Sequence, residues 1–446
     1  MSTIPRVARA MRHVLCAVAE EAGRESGLIR RERKLTGATF VQSLVFGWMA
    51  NPDATAEERA QAAATRGVSI SAHGLDKRLD DGRAADCLGR VLARAMREVV
   101  AAASPVAVPV LGRFSGVYLY DGSVVALPEA LEEVWAGCGG PHGNTAALKV
   151  GVRLELLSGA IGGPALGAGR DHDRTLGLEA ETMPAGALRL ADLGFFDLKL
   201  FGRLGGRGCY WLSRLMARTT LREHPSGERL DLAERLRALK EDTLELAVEV
   251  GAAAKLPARL LAARVPEAAA SERRRRLRAE AKKRRQPVSE ERLKLAGWTI
   301  LITNVPAELL TVEEALVLMR ARWQIEKLFD LWKSHGRLDK SRSMKPQRIL
   351  CEVYAKLIGL VIQHWLIVAG SWSRPDRSLV KAARAVRQRA LSMAEALDSP
   401  RRLSRTIEGV ARCLGAGCRV DKRRKQPGTA QQLLALTDTR KEAAIA

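Results

Sequence analysis

Apolar positions along this chain repeat with two periods, and the switch between them divides it. Over Val7–Glu21 and Thr36–Met49 they return every third or fourth residue, as on a helix with one buried face. Thr55–Asp81 reads as two short helices, Glu57–Thr65 and Ser69–Leu79, parted by Arg66-Gly67-Val68. Gly67 suits a left-handed corner because it has no Cβ to clash. The pair has the form of a helix-turn-helix. Its second helix carries His73, Lys77 and Arg78 and can enter a major groove. An ordinary helical hairpin has the same pattern. Residues 1–105 are therefore expected to be a helical region, with Lys77 and Arg78 as candidate DNA contacts.

The period then shortens. Gly116–Tyr120 is a short β-prone run ending at Asp121, and Leu148–Leu157 alternates as a half-buried strand does. Ser158-Gly159 makes a turn, and Gly177–Thr182 fits a helix. Leu188–Leu190 is a strand ending at Asp192. Two short strands thus each deliver an aspartate at the C-terminal end, where open α/β sheets place chemistry. Residues 218–297 mix helix and strand signals. Trp298–Val305 is a strand, and Thr311 with Glu314 forms a capping box. A helix is predicted from there to about Ser334, ended by Gly336. The rest, to about Gly415, reads as helical, punctuated by Pro375 and Pro400. The expected segments are 1–105, 106–217, 218–297, 298–370 and 371–446.

Charge narrows the partner. The 446 residues carry a formal net charge of +23, which calls for an acidic partner, nucleic acid or an anionic membrane surface. Leu357–Ala369, interrupted by Gln363 and His364, is too short to cross a membrane. The N-terminus lacks the apolar core of a signal peptide. The expectation is a cytoplasmic protein with nucleic acid and not membrane as its partner. Residues 271–294 hold eleven Lys/Arg against four Glu, a net +7. Arg273, Arg274, Arg275 and Arg276 are candidate phosphate contacts, or else one solvated helix face. A further basic group, Arg419 with Lys422, Arg423, Arg424 and Lys425, lies in the tail. Seven cysteines form no CxxC pair, so reduced and mostly buried thiols are expected, with no zinc site.

The helix after Thr311 brings in candidate chemistry. At roughly 100° per residue, Arg322, Lys333, Glu326 and Met319 span about 60° of its surface, beside Ile325, Leu328, Phe329 and Trp332 on an apolar face. Arg322 and Glu326 alone would make only an i,i+4 ion pair, worth a few tenths of a kcal/mol (~0.3). With Asp121 and Asp192 upstream, a different reading opens. Three carboxylates from two strands and a helix can hold two Mg²⁺ ions around a phosphodiester.

The chain resembles the insertion-sequence-4 family of DDE transposases. The resemblance rests on Arg31-Glu-Arg-Lys-Leu-Thr-Gly37, Tyr120-Asp-Gly-Ser-Val-Val-Ala-Leu-Pro128, Leu188-Arg-Leu-Ala-Asp-Leu-Gly-Phe-Phe196 and Arg320-Ala-Arg-Trp-Gln-Ile-Glu-Lys-Leu-Phe-Asp-Leu-Trp-Lys333. It covers nearly the whole chain, and the run around Glu326 is its most specific part. It implies an α/β fold: a ribonuclease-H-like catalytic core, with an insertion before the catalytic glutamate and helical N- and C-terminal regions. The first aspartate would sit on the first strand and the second after the fourth. The family signature Tyr-x2-Arg-x3-Glu-x6-Lys is met by Arg322, Glu326 and Lys333, while Met319 stands in place of the tyrosine. By resemblance, Asp121, Asp192 and Glu326 bind two Mg²⁺ (Mn²⁺ substituting), and Arg322, Lys333 and position 319 hold the DNA end. The implied partners are double-stranded element ends and target DNA, worked on by a homodimer on paired ends. Two alternatives are a catalytically inactive, transposase-derived DNA-binding protein and a metal-dependent nuclease of the same fold.

The charge generates a first prediction. Affinity for a random duplex should fall with salt at a log–log slope near −0.9 per phosphate neutralised. Fluorescence anisotropy between about 50 and 200 mM salt measures it, and a flat response contradicts it. Reversing the charges of Arg273–Arg276 should weaken binding if that run touches DNA. Unchanged affinity would make it a solvated face.

Overall fold

Helical periodicity in the first hundred residues and strand alternation after them are both realised in the computed structural model. It describes residues 3–31, 35–139, 144–178, 183–421, 428–429 and 431–436. In chain order the first helices are α1 (Thr3–Arg12), α2 (Ala19–Glu25), α3 (Gly37–Ala50), α4 (Ala56–Ala64), α5 (Ala72–Leu79) and α6 (Gly82–Ala95). Strands β1 (Val117–Leu127), β2 (Ala146–Glu155), β3 (Ile161–Ala168) and β4 (Leu188–Ala191) come after them. Next come α7 (Leu198–Gly206), β5 (Tyr210–Arg214), β6 (Leu221–Glu223), α8 (Leu232–Ala238), β7 (Thr243–Val250) and β8 (Leu256–Arg264). The chain continues through α9 (Glu267–Lys283), α10 (Glu290–Leu295), β9 (Trp298–Thr303), α11 (Val312–Ala321) and α12 (Trp323–Asp330). It ends with α13 (Pro346–Ser371), α14 (Leu379–Arg387), α15 (Ala390–Ala396) and α16 (Pro400–Ala416). Residues 32–34 of the first family motif, 179–182 of the expected helix and 422–425 of the basic tail lie outside the described residues.

Two compact units share this chain. One comprises residues 1–107, 121–180 and 324–424, the other 108–120, 181–323 and 425–446. In the first, the helices start where side chains can cap them. Thr36 accepts from the Thr39 amide and Thr55 from the Glu58 amide, each in a capping box. Gly67 takes the left-handed conformation expected of it, at φ +72°, between α4 and α5. Asp76 of α5 pairs with Arg59 at 2.7 Å and Arg348 at 2.9 Å, and Asp80 with Arg348 and Lys345. Those carboxylates tie α5 to α13 and leave Lys77 and Arg78 exposed. Strands β1, β2 and β3 form this unit's sheet, with β1 entering it at Asp121.

The central element of the first unit is α13, packed against α3, α6 and α16. It is longer than the apolar run within it. By length and composition it could cross a membrane, contrary to the expectation from Leu357–Ala369, but most of it is buried in the unit. It carries His364, whose Nε2 lies 2.7 Å from the carbonyl of Gly159 at the β2–β3 turn. Trp372 donates from its indole nitrogen to the Leu156 carbonyl at 3.0 Å and packs edge-on against His364. Gly159, at φ +75°, must be glycine, because a Cβ there would lie 2.4 Å from the Trp372 ring. The thiols are free: Cys87, Cys209 and Cys351 are buried, Cys138 and Cys413 exposed, and Cys16 and Cys418 between.

In the second unit the strand order is β1-β4-β5-β9-β8-β7-β6. β1 enters through Val117–Tyr120, which pairs parallel with Leu188–Ala191 in the register Val117↔Leu188 to Tyr120↔Ala191. β4 pairs parallel with β5, and all later pairs are antiparallel. Every residue of β4 is buried, as a strand flanked on both edges and covered on both faces must be. Arg113 clamps the start of α11 by a bidentate pair with buried Glu314, at 2.8 and 2.9 Å.

Burial pushes the His364 imidazole down to about 4. An unfolded histidine titrates near 6.5, so the unfolded chain binds the proton that the folded one rejects. Stability from this site is complete above about pH 6.5 and falls as pH drops toward 4. Thermal unfolding across that window should show this loss, and His364→Gln should flatten it. A pH response unchanged in the variant contradicts the assignment.

Candidate active site

Asp121 does not end a short strand, as its sequence context suggests. β1 runs on to Leu127, with Asp121 half-buried in its middle, where it stops pairing with β4. The Gly122 amide donates to Asp121 Oδ1 at 2.9 Å. Gly122 is small for a reason: a Cβ there would stand 2.5 Å from Asp173 Oδ1. Asp173 opens a 3-10 turn, Asp173–Leu176, and is held by Lys149 Nζ at 3.1 Å. Alternation alone puts Lys149 on the wet face of its strand. Instead β2 is buried on nearly both faces, and Lys149 with it, because its ammonium has Asp173 as a partner. The Lys149–Asp173 pair is invisible to local sequence reading, since its partners come from separate elements.

Glu326 lies half-buried in the first turn of α12, in the same unit as Asp121. Lys333 is half-buried too. Burial pulls its ammonium below the ordinary lysine value, opposed by the carboxylates of Asp339 and Asp121. The structure thus places Lys333 within electrostatic reach of Asp121. The single helix expected to Ser334 is instead broken at Arg322 between α11 and α12, and then widens into a π-helical turn over Leu331–His335. The ideal spacing that put Arg322, Glu326 and Lys333 on one stripe is therefore interrupted twice. A π turn inserts a residue and rotates the helix beyond it, a change that tertiary packing and not propensity decides. Gly336 is not left-handed (φ −79°). That role falls to Arg337, and Gly336 is small because a Cβ would lie 2.6 Å from the Trp332 carbonyl oxygen.

The second unit holds Asp192, Met319 and Arg322. Asp192 comes directly after β4 and opens the 3-10 turn Leu193–Phe195 without making a side-chain cap to it. Asp197, a few residues on, is by contrast spent on capping α7, accepting from the Lys199 and Leu200 amides. Met319 and Arg322 are buried, and Met319 offers no polar head to a phosphate. Trp323, which belongs to the run around Glu326 but carries no role in the sequence reading, is 57% exposed between Arg322 and Glu326 in the chain. Arg189 on β4, likewise inside a quoted motif but without a role in the sequence reading, is 1% exposed.

The basic run is more committed than its composition suggests. Arg273 donates to the Trp298 carbonyl and Thr299 Oγ1, and Arg274 to the Leu293 carbonyl and Glu267. Arg275 and Arg276 both pair with Glu272 and remain exposed. The first two brace α9 against β9 and α10. Among the described residues no group of three His, Cys, Asp or Glu stands close enough to hold a metal ion.

Comparison with known proteins adds to this geometry. A family model described as the transposase DDE domain matches residues 112–362. The chain is 28% identical over 372 residues to the transposase for insertion sequence element IS231B of Bacillus thuringiensis subsp. berliner, covering 79% of this chain and 77% of that one. It is 27% identical over 379 residues to that of IS231F of Bacillus thuringiensis subsp. israelensis, covering 80% and 79%. With the transposase for IS1151 of Clostridium perfringens the identity is 27% over 274 residues, 57% of each.

The Gly122–Asp173 approach is testable through stability. Gly122→Ala should destabilise the protein by about 1–3 kcal/mol, because a clash of this kind forces a shift. In an Asp173→Ala background the same substitution should cost much less. A double-mutant cycle by denaturant unfolding measures the coupling. Strict additivity contradicts the contact.

Proposed function

The chain belongs to the transposase DDE-domain family, and we propose that it is an active insertion-sequence transposase that binds element ends, cuts a strand to free a 3′-hydroxyl and joins that hydroxyl to target DNA. The observation that carries this reading is the parallel register of β1 on β4. Tyr120 and Ala191 are its last partners, so Asp121 and Asp192 are each the first residue beyond the paired stretch. The orders β3-β2-β1 and β1-β4-β5, with β1, β4 and β5 parallel, support a ribonuclease-H-like core of the insertion-sequence-4 type. On this reading β6 to β8, with α8, α9 and α10, are the insertion before the glutamate.

Asp121, Asp192 and Glu326 have the donor chemistry that a divalent cation takes, although among the described residues they do not form a ready three-ligand cluster, so an ion would have to draw them together. All three are half-buried carboxylates, hard oxygen donors, and Asp192 is not consumed in capping the turn it begins. Two Mg²⁺ ions, or Mn²⁺ in their place, would supply activation of the attacking oxygen and stabilisation of the leaving one. Lys333, partly desolvated, serves as a point charge for a phosphate of the element end. Arg322 offers its planar fork to another. Trp323 presents an exposed indole face on which a base can stack. Lys77 and Arg78 on the outer side of α5, and the exposed Arg275 and Arg276, are further backbone contacts. A homodimer on paired ends completes the assembly.

A plasmid carrying the DNA that flanks the gene on either side provides the substrate. Glu326→Gln should abolish strand cleavage in Mg²⁺ and leave end binding intact or slightly tighter, since a negative charge near DNA is lost. Lys333→Ala and Arg322→Ala should instead weaken or misplace the bound end. Gel-shift and cleavage assays on the three variants decide the roles. Cleavage by Glu326→Gln at the wild-type rate contradicts the mechanism. Cutting by the wild type without joining points to a nuclease, and binding alone to an inactive descendant.

A further inference from the structure

We propose that Arg189 is a positioning residue that holds the Asp192 turn in its working geometry. The inference rests on the reading of Asp192 as a metal-binding carboxylate. Arg189 lies on β4 opposite Tyr118 of β1. Its guanidinium sits over the ring of Tyr120 at 5.1 Å and over that of Phe201 at 5.7 Å. Its Nη2 donates to the Phe195 carbonyl at 3.2 Å, and the Phe195 amide in turn donates to the Asp192 carbonyl at 2.9 Å. A cation is thus linked through one residue to the backbone of Asp192. The same cation packs on the ring of the residue that precedes Asp121.

The surroundings make this placement rigid. Tyr120 and Phe195 are in ring contact at 6.4 Å, and Phe201 stacks on Trp211 at 4.5 Å and 8°. Phe196 packs edge-on against Phe201. A buried arginine is costly to desolvate and is kept only where its donors are matched, as they are here by the Phe195 carbonyl among other partners. The planar, multi-donor head does what a methionine cannot: it fixes the carbonyl of a one-turn element with no side-chain cap of its own.

Full-length Arg189→Met, Arg189→Lys and Asp192→Asn should be compared with wild type in four measurements. These are thermal unfolding, random-duplex binding, Mn²⁺ binding by electron paramagnetic resonance, and cleavage of the flank-carrying plasmid. Arg189→Met should unfold at a lower temperature than wild type, because the Phe195 carbonyl loses its donor, and should bind duplex normally wherever it is folded. It should nevertheless lose about 10–100-fold in Mn²⁺ affinity and in cleavage rate, as when the support of a ligand is removed. Arg189→Lys, which keeps the charge over the rings, should recover part of both. A merely structural role would move the unfolding temperature and leave Mn²⁺ affinity of the folded protein alone. Wild-type Mn²⁺ affinity and cleavage in Arg189→Met, beside an inactive Asp192→Asn, would overturn the positioning role only. If Arg189→Met does not fold, Arg189→Lys decides: weakened Mn²⁺ binding supports the proposal and wild-type binding overturns it. If Asp192→Asn itself binds Mn²⁺ and cleaves normally, the assignment of Asp192 fails and the role of Arg189 falls with it.

Discussion

Parallel pairing of β1 with β4 is the constraint on which the rest of the second unit depends. Parallel strands need a long crossover between them and cover on both faces. Here the chain between β1 and β4 includes β2, β3 and the turn that carries Asp173. Once Val117–Tyr120 lies on Leu188–Ala191, every side chain of β4 is enclosed, including an arginine. The enclosed cation must then find its partners inside, and these include Tyr120, Phe201 and the Phe195 carbonyl. Strand register and the Asp192 turn are in this way one arrangement.

What is legible in the sequence is what local chemistry decides. Thr36, Thr55 and Thr311 each cap a helix, and Gly67 turns the corner of the helical pair. Thr36 and Thr55 lie at or beside starts read from periodicity alone. β4 is visible because Leu188-Arg-Leu-Ala runs up to Asp192 and a glycine-bearing turn. β3 is not, because Ile161–Ala168 holds three glycines and a proline and becomes a strand only by pairing with β2. β1 reads too short because Asp121-Gly122-Ser123 looks like a stop. The break at Arg322 and the π turn after Asp330 carry no local signature, and they undo an argument made from ideal helical spacing. Arg189 lies within a quoted motif, but its place over the Tyr120 ring, like the Lys149–Asp173 pair, depends on a contact distant in sequence, so no window of residues announces its role.

Charge is informative in sign and less so in place. Net +23 agrees with a DNA partner, yet many of the arginines behind it serve the fold. Arg113, Arg273 and Arg274 bond to carbonyls or carboxylates of neighbouring elements, and Arg59 is buried against Asp76 and the Trp48 ring. The exposed remainder is what an electrostatic footprint can use. On α16, for example, Leu403, Ile407, Val410 and Leu414 are buried while Arg401, Arg405 and Arg412 face out.

The central proposal is that Asp121, Asp192 and Glu326 serve one divalent-cation site. Local cleavage of the polypeptide by bound Fe²⁺ with ascorbate and peroxide tests it most directly, because the radicals cut only backbone near the ion. The expected result is fragments ending near all three residues, suppressed together by excess Mg²⁺ and absent from Asp121→Ala. Cuts clustered elsewhere, or at one carboxylate while the other two segments stay intact, would contradict it.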